Sequence, residues 1–452
     1  MALLRPWLAL LGNLTLLLLT ATAPSPATAA AAAAPLPALP LHSSSRWILD
    51  ANNNRVKLRC VNWAGHMETN IPEGLQHQPL DHILDWIAAQ GFNCVRLTYS
   101  IDHALNPDQP VAASFEAAAT AAGIQPADMS ALYARVVEKN PWIAGNSSSS
   151  SSAGGNGTTT TTRDVFAAVI DGLYTRNIMT LLDNHVSRAS WCCDLTDGNG
   201  WWDTAFGYNE FNSRFFHTQD WLDGLRAMAT WARVDNHPGV VAMSLRNELR
   251  EFLLQDLNGR ADWYTYVQQA GGVVHAAHPD VLVVVGGVQS STDLLHVRTA
   301  TGGKMLDTSG WAGKHVWEMH AYSFTVTFLD VFQSCDVVKA QYGAMDGFVL
   351  TQGEEYTGPL ILSEFGVGME GGDAARDGLS EKDDRYLSCI VSYMESNDAE
   401  WAVWAVQGSY YVRDGKTDYD ESWGLLKSDW SDWRNPAFAG RLGAMWNMTQ
   451  QP

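Results

Sequence analysis

Short apolar runs recur along the chain at 56–63, 92–98, 178–183, 240–245, 281–285, 315–321, 359–365 and 401–406. Runs of this length, rich in Val, Ile and Leu, predict buried strands. Between them, apolar residues return every three or four positions, the period of an amphipathic helix. Leu80, Ile83, Leu84 and Ile87 share one such face. Trp221, Leu222, Leu225, Met228 and Trp231 make another, on a helix expected to stop before His237-Pro238-Gly239. Strands alternating with helices point to a parallel sheet. Eight such units predict an α/β fold of the closed (β/α)8, or TIM, barrel type, which usually spans about 200 to 400 residues. An open doubly wound sheet is the alternative. The first strand lacks the glycine-rich phosphate loop that such a sheet often carries.

Two stretches interrupt the alternation. Residues 101–163 are too long for an ordinary connection and predict an insertion after strand 2. They hold an Ala-rich helical piece and then a Ser/Gly/Thr tract at 146–162, with glycosylation sequons at Asn146 and Asn156 and a third later at Asn447. Such a tract cannot bury a core and reads as a solvated excursion. Ahead of the first strand, apolar pieces at 47–50 and 56–58 flank an Asn-rich turn, which predicts a hairpin capping the barrel floor.

Residues 1–29 have the pattern of a secretory signal: Arg5, an apolar run at 7–19, and a small-residue cleavage site at Ala27-Thr28-Ala29. That run is shorter than the roughly 20 residues that span a bilayer. Residues 30–44 then read as a low-complexity leader and 45–445 as one domain. A secreted, extracellular, monomeric protein with no membrane partner is expected.

Composition narrows the function. The 452 residues carry 29 Lys and Arg against 49 Asp and Glu, a formal net charge of −20, with no basic run. That argues against nucleic acid as a partner, which needs a basic footprint. Six cysteines fit an oxidising compartment, though sequence cannot choose among fifteen pairings. Cys60 and Cys94 sit in strand-like runs and read as buried thiols, whereas Cys192 and Cys193 share a loop that could bridge to Cys335. The histidines do not cluster at ligand spacing, so neither a metal nor another cofactor is expected. Nineteen tryptophans suit stacking on sugar rings as well as core packing. Trp201 and Trp202, after Asp197-Gly198-Asn199-Gly200, are expected as stacking platforms, as are Trp63 and Trp404 at strand ends.

In a barrel of this type the active site gathers at the carboxyl ends of the strands. Arg96 lies on the second strand, His185 ends the third, Asn247 and Glu248 end the fourth, His320 and Tyr322 the sixth, and Glu364 the seventh. Strands four and seven face each other, so Glu248 and Glu364 can converge across a cleft as a glycosidase requires. A nucleophilic carboxylate needs donors beside it, and Arg96 and Tyr322 are the candidates for Glu364. The Asn247 amide could hold a sugar 2-hydroxyl, and His185 and His320 could orient hydroxyls or the carboxylates. Glu318 shares a strand face with His320 and Tyr322 but one layer lower, where a buried partner for Arg or His is expected. Glu354 and Glu355 read as solvated.

Taken in order, Val61-Asn62-Trp63, Val95-Arg96-Leu97, Asp183-Asn184-His185, Leu245-Arg246-Asn247-Glu248, His320-Ala321-Tyr322 and Leu362-Ser363-Glu364-Phe365-Gly366 resemble the signatures of glycoside hydrolase family 5, the cellulase A family. The segment from Trp404 to Tyr411 is similar to the last-strand region of its plant and fungal cellulase-like members. The resemblance covers roughly residues 45–440. It implies a retaining β-glycosidase with Glu248 as acid/base and Glu364 as nucleophile. Arg96, His185, Asn247, His320 and Tyr322 would support them, and Trp404 would form the floor of the −1 subsite. Leu249 follows the Asn-Glu pair where the family's commonest motif has Pro. Cellulose or another β-1,4-glucan is the expected polysaccharide substrate, with β-mannan, β-1,3- or β-1,6-glucan and transglycosylation as alternatives. A non-catalytic carbohydrate-binding protein is the alternative from another class. A structural wall glycoprotein is a poorer fit to so many matched strand ends.

Overall fold

The structure, a computed structural model, describes residues 35–145, 159–299, 306–325 and 334–452. Eight parallel strands close into a barrel: β1 (Arg59–Trp63), β2 (Cys94–Ser100), β3 (Met179–Val186), β4 (Val240–Ser244), β5 (Leu282–Gly286), β6 (His315–His320), β7 (Leu360–Phe365) and β8 (Glu400–Val403). Each lies within or beside one of the eight apolar runs, and β8 pairs with both β7 and β1 to complete the circle. The expected (β/α)8 barrel is therefore the observed fold.

Strand alternation sorts side chains into two compartments. Val61, Trp63, Val95, Leu97, Leu182, Met243, Val283, Trp317 and Val403 face outward into the large core shared with the surrounding helices. Cys60, Cys94, Leu181, Ala242, Val284, Val316, Ile361 and Ala402 face inward and make a separate apolar floor, joined by Leu41, Ile48, Val56 and Leu58 from the N-terminal segment. The floor is thus plugged where a hairpin was expected, but the pairing differs. Trp47–Leu49 pairs antiparallel with His42–Ser44, and only a bridge from Leu49 to Arg55 spans the Asn-rich turn. Asp50 explains this: its carboxylate accepts the backbone N–H of Asn52 at 2.9 Å and Asn54 at 2.8 Å, folding the turn locally.

After β2 come the helices Ile101–Leu105, Val111–Ala122 and Pro126–Lys139, with Phe115 packed edge-on against Tyr411. That tyrosine belongs to a hairpin, Ser409–Arg413 with Lys416–Asp420, which follows β8. The signal at 1–29, residues 30–34 of the leader, and the sequons at Asn146 and Asn156 lie outside the described residues; Asn447 is exposed.

The cysteine expectations need correction. Cys60 and Cys94 are joined to each other, because they stand opposite one another on neighbouring strands in the same inward register. Cys335 pairs with Cys389, linking the adjacent helices Cys335–Met345 and Glu381–Asn397, and so is not the partner of the loop pair. Cys192 and Cys193 are bonded to each other.

Candidate active site

Above the apolar floor the next inward layer is polar, and it is built around one cation. Arg96 is wholly buried. Its Nη1 donates to Asn62 Oδ1 at 3.0 Å and Glu364 Oε1 at 2.7 Å. Its Nη2 donates to Asn247 Oδ1 at 3.0 Å and Glu318 Oε1 at 2.9 Å, and lies 2.9 Å from Asp183 Oδ1. Ser244 and Ser363 donate to the two oxygens of Glu318 at 2.8 and 2.6 Å. Buried carboxylates are tolerated only with such compensation. Burial alone would raise the Glu318 carboxyl, but Arg96 and His320 hold it down at about 2. Asp183, for which burial outweighs Arg96, is pushed up to about 6.

Alternation along β7 would point Ser363 inward and Glu364 away. A register shift between Met319 and His320, opposite this segment, brings His320 level with Glu364 and lets both residues reach the barrel mouth. There Tyr322 Oη donates to Glu364 Oε2 at 3.0 Å, and His320 Nδ1 lies 3.7 Å from the same oxygen. Burial raises the Glu364 carboxyl, while charged His320 and Arg96 pull against it. Burial and the neighbouring Glu364 push the Tyr322 phenol well up, so it stays a proton donor.

Glu248 sits just beyond β4 with a positive φ of 38°, a conformation that an L-residue adopts only under local constraint. His320 Nδ1 meets its Oε1 at 3.0 Å. Burial would lower the His320 imidazole, but Glu364, Glu248 and Glu318 around it raise it to about 10, so it is charged at neutral pH. One oxygen of Glu248 and one of Glu364 lie within 4.8 Å of each other, with His320 in the same group. His185 gives its Nδ1–H to Asp183 at 2.7 Å; burial drives its pKa well down, which keeps it neutral.

The cleft is lined by His185, Asn247, Glu248, Tyr322, Glu364 and Trp404 among the residues singled out from sequence. Trp404 stacks on His185 with ring centroids 5.6 Å apart. Trp63, Trp201 and Trp202 do not belong there; each is fully buried. Trp63 points outward from β1 and donates to the Glu73 carbonyl at 2.9 Å. Trp201 and Trp202 pack against each other and, through Trp202, on Phe216, Trp221 and Tyr266, because their loop folds back and builds its own core. The stacking role expected for these three is therefore withdrawn.

Other aromatic groups wall the cleft: Trp191, Phe324 and Trp423, with Arg413 and Glu421 beside them. Arg413 lies 3.4 Å over the Trp191 ring and pairs with Glu421 at 2.9 Å. Phe324 stacks on Tyr322, and Trp423 meets both edge-on. None comes from a barrel strand. The adjacency of Trp191 to the paired cysteines was the one available sequence signal; nothing marked Arg413, Glu421 or Trp423. Among the described residues no helix is long and apolar enough to cross a membrane.

A closed α/β barrel with two carboxylates facing each other in an aromatic-walled cleft defines a glycoside hydrolase. The chain belongs to glycosyl hydrolase family 5: the family model "Cellulase (glycosyl hydrolase family 5)" matches residues 49–409. A glycosyl hydrolase 5 family protein of Chamaecyparis obtusa is 35% identical over 422 residues, which cover 92% of this chain and 67% of that protein. An endoglucanase of Paenibacillus polymyxa is 20% identical over 406 residues, covering 87% and 84% respectively. In fold, the chain is similar to a variant endocellulase from Pyrococcus horikoshii in complex with cellotetraose, with a TM-score of 0.63 at 16% identity over 91% of this chain and all of that one.

Proposed function

We propose that this glycoside hydrolase is a secreted retaining enzyme that cleaves β-1,4-linked glucan within the chain, with residues 45–445 as its catalytic domain. The observation that carries the retaining mechanism is the approach of the Glu248 and Glu364 oxygens to within 4.8 Å. Carboxyl groups about 5 Å apart favour direct attack by one of them, whereas inverting enzymes leave about 6.5–9.5 Å for a water.

Glu364 is the nucleophile. Arg96 and Tyr322 each hold one of its oxygens, which orients the carboxylate toward the cleft and supports its ionised form. Glu248 donates its proton to the glycosidic oxygen as Glu364 bonds to the anomeric carbon and the leaving sugar departs. Glu248, now ionised, then takes a proton from a water that attacks the same carbon and frees Glu364. Asn247 Oδ1 is held by Arg96, and its Nδ2, which also faces His185 Nε2 and the Cys192 and Cys193 sulfurs, borders the cleft where it can meet a 2-hydroxyl. Trp404 offers a flat ring for the sugar being cleaved. The β-1,4-glucan assignment draws on the endoglucanase relative and the endocellulase fold neighbours. Secretion draws on the signal pattern and on the bonding of all six cysteines in disulfides.

Product analysis on β-1,4-, β-1,3- and β-1,6-glucan and β-mannan, comparing wild type with Glu364→Gln, tests this reading. Internal cleavage of β-1,4-glucan with β-configured new reducing ends by NMR, abolished in the variant, is expected. New ends of α configuration would overturn the retaining assignment, and cleavage of a different polymer would reassign the substrate.

A further inference from the structure

The loop after β3 carries an unusual wall element, the bond between neighbouring residues Cys192 and Cys193. A disulfide stabilises mainly by closing long loops in the unfolded chain, and this one closes none beyond its own peptide unit. Its location is more informative. Both residues line the cleft, and their sulfurs lie within 4.8 Å of a Glu248 carboxylate oxygen. Asn247 Nδ2 faces both sulfurs, 3.6 Å from Cys192 Sγ and 3.5 Å from Cys193 Sγ.

A single guanidinium fixes this segment against the catalytic residues. Arg250 Nη2 donates to both oxygens of Asp197, at 2.7 and 2.6 Å, and Nε donates to the Asp194 carbonyl at 3.2 Å. Its Nη1 donates to the carbonyl of Glu248 at 2.9 Å and stands 3.8 Å from Cys192 Sγ. The sulfur-bearing loop and the residue bearing the proton donor are therefore positioned together.

A disulfide carries no charge and has no proton to donate, and its sulfurs are soft and polarisable. Such a surface suits the C–H face of a sugar ring and does not compete for the proton on Glu248. Two thiols in the same place would bring donors and, once ionised, negative charge against Glu248 and Glu364. We propose that the Cys192–Cys193 disulfide is a sugar-contacting wall on the Glu248 side of the cleft, and that opening it weakens substrate binding. The proposal rests on the reading of the cleft as a polysaccharide site. Opening by a dithiol breaks the S–S bond, delivers two electrons and two protons to the cysteines, and leaves the dithiol as its own cyclic disulfide.

The test measures opening directly. Glu364→Gln protein, which holds ligand without cleaving it, is incubated with dithiothreitol, alkylated and mapped by peptide mass. The run is repeated with β-1,4-, β-1,3- and β-1,6-gluco-oligosaccharides and β-manno-oligosaccharides. At ten times its Kd, a bound oligosaccharide is expected to slow labelling of Cys192 and Cys193 about tenfold, leaving Cys335 and Cys389 unaffected. In parallel, wild type and a Cys192→Ala, Cys193→Ala double variant are assayed on the polymers. The double variant is expected to show KM raised about tenfold, kcat little changed and an unaltered melting temperature. Labelling that no oligosaccharide slows would overturn the wall, as would an unchanged KM in a folded double variant. Wild-type protein inert on every polymer would sink the hydrolase reading alone, since protection by any oligosaccharide would still uphold the wall.

Discussion

The two sides of the cleft hold their carboxylates in different ways. Glu364 sits on a strand, is only 5% exposed, and has both oxygens occupied by donors from β2 and the end of β6. Glu248 lies past the end of its strand on a left-handed backbone, half-buried, and its carboxylate hydrogen-bonds to His320 alone among the described residues. A nucleophile must present one fixed lone pair along one line, so rigidity serves it. A group that first gives and later takes a proton works on two different oxygens, so fewer fixed partners serve it. His320 touches both carboxylates and is the one charged group the two sides share.

The largest expected effect separates the two directly. Glu364→Gln should lower kcat by about 10⁴-fold or more on every substrate, because in the proposed mechanism no other group forms the glycosyl bond. Glu248→Ala should cost about 10²–10⁴-fold on glucan. On an aryl glycoside whose phenol leaves without a proton, its first step should be largely spared, so pre-steady-state assays would show a burst of phenol before slow turnover. A Glu248→Ala protein equally dead on both substrates would break the distinction.

Tyr322→Phe removes one donor from the fixed side only. A hydrogen bond to a charged group contributes about 1.5–3 kcal/mol, so kcat/KM should fall roughly 10–100-fold with KM nearly constant. Stopped-flow or initial-rate measurement checks it, and a mainly KM effect would place Tyr322 in binding instead.

The smallest effect concerns the shared histidine. Its pKa is raised from the ordinary 6.5 to about 10 in the folded protein. The stability it contributes is thus present in full below about pH 6.5 and is lost as pH rises through about 10. Urea denaturation of wild type should show stability declining across that window, and His320→Gln should show a flatter profile. Parallel profiles would mean that the imidazole is not held charged.

The strands were legible because an apolar run of five to eight residues has few other uses, and the residue that ends each run marks the mouth. Glu248, Glu364, His185 and Tyr322 could be placed by that logic alone, and Glu318 one layer lower by counting alternate positions. What alternation could not reveal was the shift opposite β7, without which Glu364 would point away from Arg96. Trp201 and Trp202 misled for a related reason. A loop is presumed polar and solvated, yet this one buries two indoles by folding onto Phe216, Trp221 and Tyr266. Arg413 and Trp423 reach the cleft from a hairpin some distance along the chain, and no local pattern encodes a contact that depends on tertiary packing.

The Arg96 layer and the aromatic walls also differ in how they can change over time. Arg96 ties together residues from β1, β2, β3, β6 and β7 and the end of β4, so a substitution at one of them unbalances the charge of the rest. Trp191, Phe324, Arg413 and Trp423 lie outside the eight barrel strands, and none of them is a hydrogen-bond partner of Arg96. A lineage, or a laboratory library, can therefore exchange these side chains and explore new sugars while keeping the Arg96 cluster intact.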